Sequence, residues 1–265
     1  MAKPLLGIDI GHDCLKLALV TGDKVKKGGF YELPENMLKD GRIVSPESMS
    51  EAIKNALKES GIRAAEAAII LHEENVFIRN ITVPSMSREQ LLYNLPYEFN
   101  DYIDGEPRDY VFDYAMTESG DAVAADSMEG EEDAEASEPP LELLAVAVKK
   151  EIIDEMQEML KKAGLKMTVA APAISSFSAL IRKRGEGIEA AGNEFGIIDI
   201  GYGRIKMYMY KGDNFVASRE LEIGLSNIDS IIAEEKGVDI HIAHQYFLSN
   251  YEDVQHSFTC QSAFE

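Results

Sequence analysis

The chain has 265 residues, 45% of them hydrophobic, which is enough for one large domain or two ordinary ones with a sizeable core. Its 26 Lys and Arg stand against 47 Asp and Glu, and the net charge of −21 argues against a sequence-independent nucleic-acid binder and equally against docking on anionic lipid through charge. Two cysteines, Cys14 and Cys260, exclude a disulfide framework and a zinc site, and no apolar run approaches the roughly 20 residues of a membrane helix. Met1-Ala2-Lys3-Pro4 leads straight into an alternating apolar run instead of a signal peptide, so the chain is expected to be intracellular and soluble by itself.

In chain order, a buried strand ends at Ile8-Asp9-Ile10-Gly11, and a second alternating strand, Cys14 to Val20, runs back along it. A Gly22-Asp23 turn leads to a third strand, Lys24 to Tyr31. Ser45-Pro46-Glu47 predicts a helix through about Ser60, with Ser45 as cap and Pro46 at the first helical position. Ala67 to Leu71 and Val76 to Val83 read as strands, and Ser87-Arg88-Glu89-Gln90 is a capping box opening a short helix that Pro96 should end or kink. Tyr110 to Ala115 and Leu141 to Val148 read as a hairpin whose tip, residues 117–140, carries nine acidic residues and no basic one. That tip is otherwise Ala, Ser, Gly and Pro, a composition too poor in apolar surface to order itself, and is expected to be a solvated loop. Lys149 to Ala163 is an amphipathic helix with Gly164 as cap, followed by a strand at Lys166 to Ala170 and a helix at Ile174 to Arg184. The glycines of residues 185–194 mark a hinge.

Beyond the hinge the opening pattern returns. Ile198-Asp199-Ile200-Gly201 repeats Ile8-Asp9-Ile10-Gly11, Lys206 repeats Lys16, and Gly212-Asp213 repeats Gly22-Asp23, all at an offset of 190. Each copy reads as the same buried strand, tight turn, returning strand (here Arg204 to Tyr210) and third strand (Asn214 to Glu222). A period this long means two similar halves, since solenoid repeats are shorter. A strand ending in Asp-x-Gly suits a phosphate cleft: glycine lets backbone N–H groups approach phosphate oxygens, and the aspartate offers oxygen to Mg²⁺ through water. Two such turns related by duplication carry far more weight than one. The bland alternatives are that Asp9 and Asp199 cap turn N–H groups and that Lys16 and Lys206 face solvent.

These motifs resemble those of the superfamily of actin, heat-shock chaperones and sugar kinases. Gly7-Ile8-Asp9-Ile10-Gly11 is similar to its first phosphate motif, Ile198-Asp199-Ile200-Gly201 to its second, and Glu222-Ile223-Gly224 to the strand-to-helix connection that follows. Within it the chain resembles the PilM family of actin-like proteins of type IV pilus assembly. That likeness runs from residue 5 to about 250 and includes Val83-Pro84, the helix from Glu89 to Phe99, and Lys149 to Arg184 with its Ala-Gly-Leu-Lys and Ala-Pro-Ala-Ile-Ser-Ser-Phe segments. The resemblance implies an α/β, actin-like ATPase (ribonuclease-H-like) fold with an inserted small α+β subdomain of the kind shared with the division protein FtsA. Residues 1–84 and 165–184 would form the first half, 85–164 the subdomain, 185–194 the hinge, and 195–265 a second half that is incomplete. ATP with Mg²⁺ would lie between the halves, against Asp9, Gly11, His12, Asp13, Cys14 and Lys16 on one side and Asp199, Gly201, Tyr202, Gly203, Arg204 and Gly224 on the other, with Asp9 and Asp199 near the Mg²⁺ through water. The implied partner is the cytosolic N-terminal peptide of a PilN-like inner-membrane protein, bound between the first half and the subdomain, with a pilus motor ATPase as a second. The protein would be cytoplasmic, held at the inner face of the membrane by that partner.

The sequence departs from the family at three places. His12-Asp13-Cys14 replaces a turn usually rich in serine, and a carboxylate there repels phosphate unless Mg²⁺ intervenes. His244 and Phe247 stand where the family helix offers Glu and Lys to the nucleoside, and the late glycine-rich adenosine motif is not seen. Two other functions stay open: an ATPase or small-molecule kinase on the same fold, which would need a general base that no residue here supplies from sequence, and an FtsA-like division protein, which would carry an amphipathic membrane helix that Thr259 to Glu265 is too short and polar to form. His241 and His244, three apart, read as a surface or half-buried pair more than a metal site, and Cys14 as a small buried thiol. Tyr93, Tyr97, Phe99 and Tyr102 read mostly as core packing, with one wall of a peptide groove as the functional alternative.

Overall fold

In the computed structural model, which describes residues 3–34, 37–39, 41–117, 139–184 and 194–256, the repeat is visible as geometry. Strand β1 (Leu5–Ile10) alternates between buried and half-buried side chains and pairs antiparallel with β2 (Cys14–Thr21), which pairs with β3 (Lys24–Glu32). A small hairpin, β4 (Leu38–Lys39) and β5 (Arg42–Ile43), leads to helix α1 (Pro46–Ser60). Its Ser45 cap accepts from the Ser48 N–H, with proline at the first helical position as the sequence predicts. Strand β6 (Glu66–Leu71) returns parallel to β1, and β10 (Lys166–Pro172) lies parallel to β6, giving a five-stranded sheet of order β10-β6-β1-β2-β3. Helix α3 (Lys150–Lys162) packs beside α1 over this sheet, so Leu6, Ile8, Ile10, Leu15, Leu17, Ile53, Met156 and Leu160 share one buried core.

The inserted subdomain is a three-stranded sheet. Its β7 (Val76–Val83) and β8 (Tyr110–Met116) both pair antiparallel with β9 (Leu141–Lys149), and α2 (Arg88–Glu98) covers one face. The Ser87 capping box forms in full, and the helix runs two residues past Pro96 before it ends. The expected boundaries shift here. Val76–Val83, placed with the first half by sequence, is hydrogen-bonded along its whole length to β9, while α3, placed in the subdomain, buries Ile152, Met156, Met159 and Leu160 in the first half's core. A strand belongs to the sheet that satisfies its N–H and C=O groups, which chain order alone does not reveal. The acidic tip (residues 118–138) and the hinge (residues 185–193) lie outside the described residues, as does the terminus from residue 257.

After α4 (Ala173–Arg184), the second copy of the repeat forms β11 (Glu194–Ile200), β12 (Ile205–Lys211) and β13 (Asn214–Leu221), an antiparallel sheet. Its turns reproduce those of the first copy: Gly11 N–H donates to Cys14 O at 2.8 Å and Gly201 N–H to Arg204 O at 2.9 Å, and the repeated residues Asp9 and Lys16, like Asp199 and Lys206, are cross-strand partners. One face of the sheet buries Tyr208, Tyr210 and Phe215 against α4 and Leu144 of the subdomain. The other face differs from the expected buried strand. Ile198 and Ile200 are 63% and 59% exposed, whereas their first-copy counterparts Ile8 and Ile10 lie under α1 and α3. The helices that follow, α5 (Leu225–Lys236), α6 (Ile240–Ser249) and α7 (Tyr251–Gln255), bury their apolar side chains mainly against one another.

Candidate functional site

Because β1, β6 and β10 are parallel neighbours, their C-terminal ends open on one edge of the sheet, the usual place for a ligand in such a fold. That edge faces the second repeated turn across a cleft of ≈ 250 Å³. Ten of the twelve residues assigned from sequence line it: Asp9, Gly11, His12, Asp13 and Lys16 from the first turn, and Asp199, Gly201, Tyr202, Gly203 and Arg204 from the second. The two turns nearly touch, since a Cβ on Gly203 would lie 3.9 Å from the His12 ring. The other two residues sit behind the lining. Burial, reinforced by Asp13, pushes the Cys14 thiol up to about 11, so it stays protonated. Gly224 packs on the back of the second turn, and the N–H groups of Leu225 and Ser226 that follow it donate to Gly201 O and Tyr202 O. The first N–H groups of α5 are therefore spent on protein carbonyls.

The cleft also gathers residues that the sequence reading missed. β6 delivers His72, Glu73 and Glu74, α4 delivers Ser176 and Phe177, and β12 delivers Lys206 and Tyr208. A parallel strand beside β1 must end at the same edge, and that was the available signal: Leu71 is followed at once by three titratable side chains. Burial raises the affinity of the Glu73 carboxyl for its proton, with Lys206 and a hydrogen bond from Tyr208 opposing the shift, and its Oε1 has no hydrogen-bond partner. Burial likewise holds His72 below the ordinary histidine value, against the pull of Glu74.

Every lysine or arginine of the cleft is already engaged by a carboxylate. Lys16 Nζ lies 3.0 Å from Asp9 Oδ2, and although burial opposes its charge, Asp9 holds its ammonium above the ordinary value. Arg204 Nη1 donates both to Glu74 Oε1 and, at 2.6 Å, to Glu220 Oε1, while Lys206 Nζ is 3.5 Å from Glu220 Oε2. The Asp199 carboxylate makes no side-chain hydrogen bond or ion pair among the described residues, although its charge helps to hold the Lys16 ammonium. Among the described residues no three His, Cys, Asp or Glu side chains cluster to hold a metal ion by themselves, so the cleft offers a hard cation only separate carboxylates on its two walls, together with three cations and two glycine turns suited to phosphate. Behind the second turn, Asp229, fully buried, bonds His244 Nδ1 at 2.8 Å, and the His244 ring stands edge-on to Tyr202.

On the subdomain, α2 turns Leu91, Leu95 and Phe99 into the core, and Tyr93 and Tyr97 land on its opposite face at 72% and 67% exposure. Tyr102 is also exposed, under the Arg79 guanidinium at 3.7 Å. Most of the tyrosine cluster is thus surface, contrary to the expectation of core, because a two-residue offset from Leu91 and Leu95 places Tyr93 and Tyr97 on the far side of a helix.

The sequence matches, over residues 7–247, the family described as type IV pilus assembly protein PilM. Among solved structures it is similar to a chain of a PilM–PilN type IV pilus biogenesis complex at TM-score 0.74 and 24% identity, covering 95% of this chain and 70% of that one. A weaker likeness, TM-score 0.47 at 12% identity over 83% of this chain and 71% of the other, links it to the cytoplasmic domain of EpsL, an inner-membrane component of the type II secretion system of Vibrio cholerae. MreB5 of Spiroplasma citri, solved bound to ADP, matches at TM-score 0.46 and 14% identity over 92% of this chain and 61% of that one. No curated protein sequence matches the chain.

Proposed function

The chain belongs to the family of the type IV pilus assembly protein PilM, and from that premise we propose that it is an actin-like scaffold of pilus assembly that binds the cytosolic N-terminal peptide of a PilN-like inner-membrane protein. The match across residues 7–247 carries this reading, because it spans both copies of the repeat and the inserted subdomain. Among the described residues no helix is long and apolar enough to cross a membrane. In this reading the PilN-like partner holds the protein at the inner face of the membrane. The exposed Tyr93 and Tyr97 on α2 are the aromatic anchors available to an extended peptide at the subdomain. A pilus motor ATPase is the second partner of this scaffold. ATP with Mg²⁺ would lie in the cleft between the halves, where Asp9 and Asp199 would hold the metal through water, the two glycine turns would face the phosphates, and Lys16, Arg204 and Lys206 would supply positive charge to them. Bound there, the nucleotide would supply negative charge that competes for the cations of the cleft.

Titration of a labelled PilN-like N-terminal peptide tests the partner. Micromolar binding is expected, weakened about tenfold by Tyr97→Ala, in line with the loss of one aromatic anchor. Absence of binding at millimolar peptide would overturn the scaffold assignment. Calorimetry with ATP and Mg²⁺ on the wild type and on Asp199→Ala tests the cleft separately; heat that is equal in both proteins would remove Asp199 from the site.

A further inference from the structure

Arg204 does more than line the cleft. It belongs to the second repeated turn, yet its guanidinium reaches across to Glu74, on the short turn that joins β6 of the first half to β7 of the subdomain. Both partners are largely shielded, at about one-fifth exposure each, so solvent screens this pair less than a surface ion pair. Glu74 is itself held in place: its Oε2 lies 3.8 Å from His72 Nδ1, and the neighbouring Asn75 donates to Gly41 O at 2.8 Å. The same turn carries Glu73, whose buried Oε1 has no protein partner among the described residues. Asn80 of β7 also donates to Phe215 O of β13 at 3.1 Å, and Leu144 of β9 packs with Tyr208, Tyr210 and Phe215, so the second half holds the subdomain through a polar contact and an apolar one besides Glu74.

We propose that Arg204 is an exchange clasp: in the empty cleft it ties the second turn to Glu74, and an incoming polyphosphate draws it off that carboxylate, freeing the β6–β7 connection and the subdomain that hangs from it. This rests on the reading of the cleft as a nucleotide site and adds its regulation. The physical basis is competition. Arg204, Lys16 and Lys206 are all paired with carboxylates, so phosphate gains a cation only by replacing one of them. Arg204 is held by two carboxylates, Glu74 and Glu220, so a bidentate, doubly charged phosphate group has to replace both; Glu220, beside Lys206 at 3.5 Å, keeps a cation when Arg204 leaves, whereas Glu74 does not. The cleft volume of ≈ 250 Å³ falls just under the roughly 300–1,000 Å³ of ordinary ligand pockets, which fits a site that must open to be filled. The clasp thereby couples nucleotide in the cleft to the subdomain whose exposed face carries Tyr93 and Tyr97.

The test combines calorimetry with Mg²⁺ and ATP and hydrogen exchange of residues 71–83, on the wild type, Glu74→Gln, Arg204→Gln and Arg204→Lys, each checked for an unchanged melting profile. Glu74→Gln removes the competing charge and is expected to bind ATP roughly three- to tenfold more tightly, the size of one partly shielded charge pair. Arg204→Gln is expected to exchange faster at residues 71–83 without nucleotide, as the wild type does with it, and Arg204→Lys to restore part of the protection. If wild type and Glu74→Gln bind ATP equally, the exchange is wrong while the nucleotide site stands. If neither binds ATP at millimolar concentration, the site itself fails and the clasp with it. Unchanged protection in Arg204→Gln would overturn the link to the subdomain.

Discussion

At Gly224 a single added carbon would meet three backbone atoms, Tyr202 O at 2.3 Å, Arg204 N at 2.6 Å and Gly201 O at 2.7 Å. None of these can rotate away, so Gly224→Ala must displace the whole second turn, at a cost of about 2–3 kcal/mol, the upper range for overpacking. Gly212 makes a useful contrast. Its φ of +61° favours glycine, but a Cβ there meets nothing within 4 Å, so Gly212→Ala costs only about 1 kcal/mol of backbone strain. Chemical denaturation of the two variants should separate them, and only Gly224→Ala should also perturb the cleft. His72 provides a pH readout. Its native pKa is depressed below the unfolded 6.5, mainly by burial, so the unfolded chain binds more protons as pH falls through that value. Its contribution is full above pH 6.5 and is lost below it. Melting temperatures of the wild type and His72→Gln, measured from pH 7.5 to 5.5, should diverge, with the wild type losing more on acidification. Glu73 shifts in the opposite direction, raised by burial, but it is common to both proteins and cancels in the comparison. Parallel curves would mean that His72 has the same pKa folded and unfolded, and a wild type that loses less on acidification would mean that it is protonated in the fold.

The strands and helices show what an element owes to its neighbours. Ile8 and Ile198 occupy the same position of the repeat and end the same kind of strand, yet Ile8 is 1% exposed beneath α1 and α3 while Ile198 is open. Ile8→Ala should therefore cost about 2–5 kcal/mol, the range for emptying a core site, and Ile198→Ala less than about 1 kcal/mol. Equal costs would mean that something covers the second sheet in solution. This pair also marks the limit of what could be read beforehand. The turns were legible because their signals are local: Asp-x-Gly, Gly-Asp, the Ser45 and Ser87 caps and their helices all form where the sequence places them. Burial of Ile198 was not legible, since it depends on helices packed from elsewhere in the chain. The same holds for the site. The two repeated turns announced one wall each, whereas His72, Glu73 and Glu74 belong to no motif and reach the cleft only because β6 lies parallel to β1. The sheet to which β7 belongs was not legible for a related reason: β7 follows β6 after a short turn but bonds to β9, some sixty residues away in the chain.

Across the whole molecule, a net charge of −21 sets the terms on which any partner approaches. A nucleotide must enter against that field, and the only lysines and arginine lining the cleft are already neutralised, so association with ATP is expected to be slow and to quicken as salt screens the repulsion. A peptide partner meets the opposite situation. Cytoplasmic segments flanking a membrane span carry an excess of Lys and Arg, so the N-terminal tail proposed for the partner arrives with charge complementary to this surface. The aromatic face on α2 then supplies short-range affinity through Tyr93 and Tyr97, and the field supplies the encounter rate. Stopped-flow association of such a tail should slow by about tenfold between low and high salt, with dissociation nearly unchanged, while Tyr97→Ala should do the reverse, leaving association alone and speeding dissociation. An association rate indifferent to salt would mean that the acidic surface faces away from the docking site, and the tail would then have to be recognised by shape and apolar contact alone.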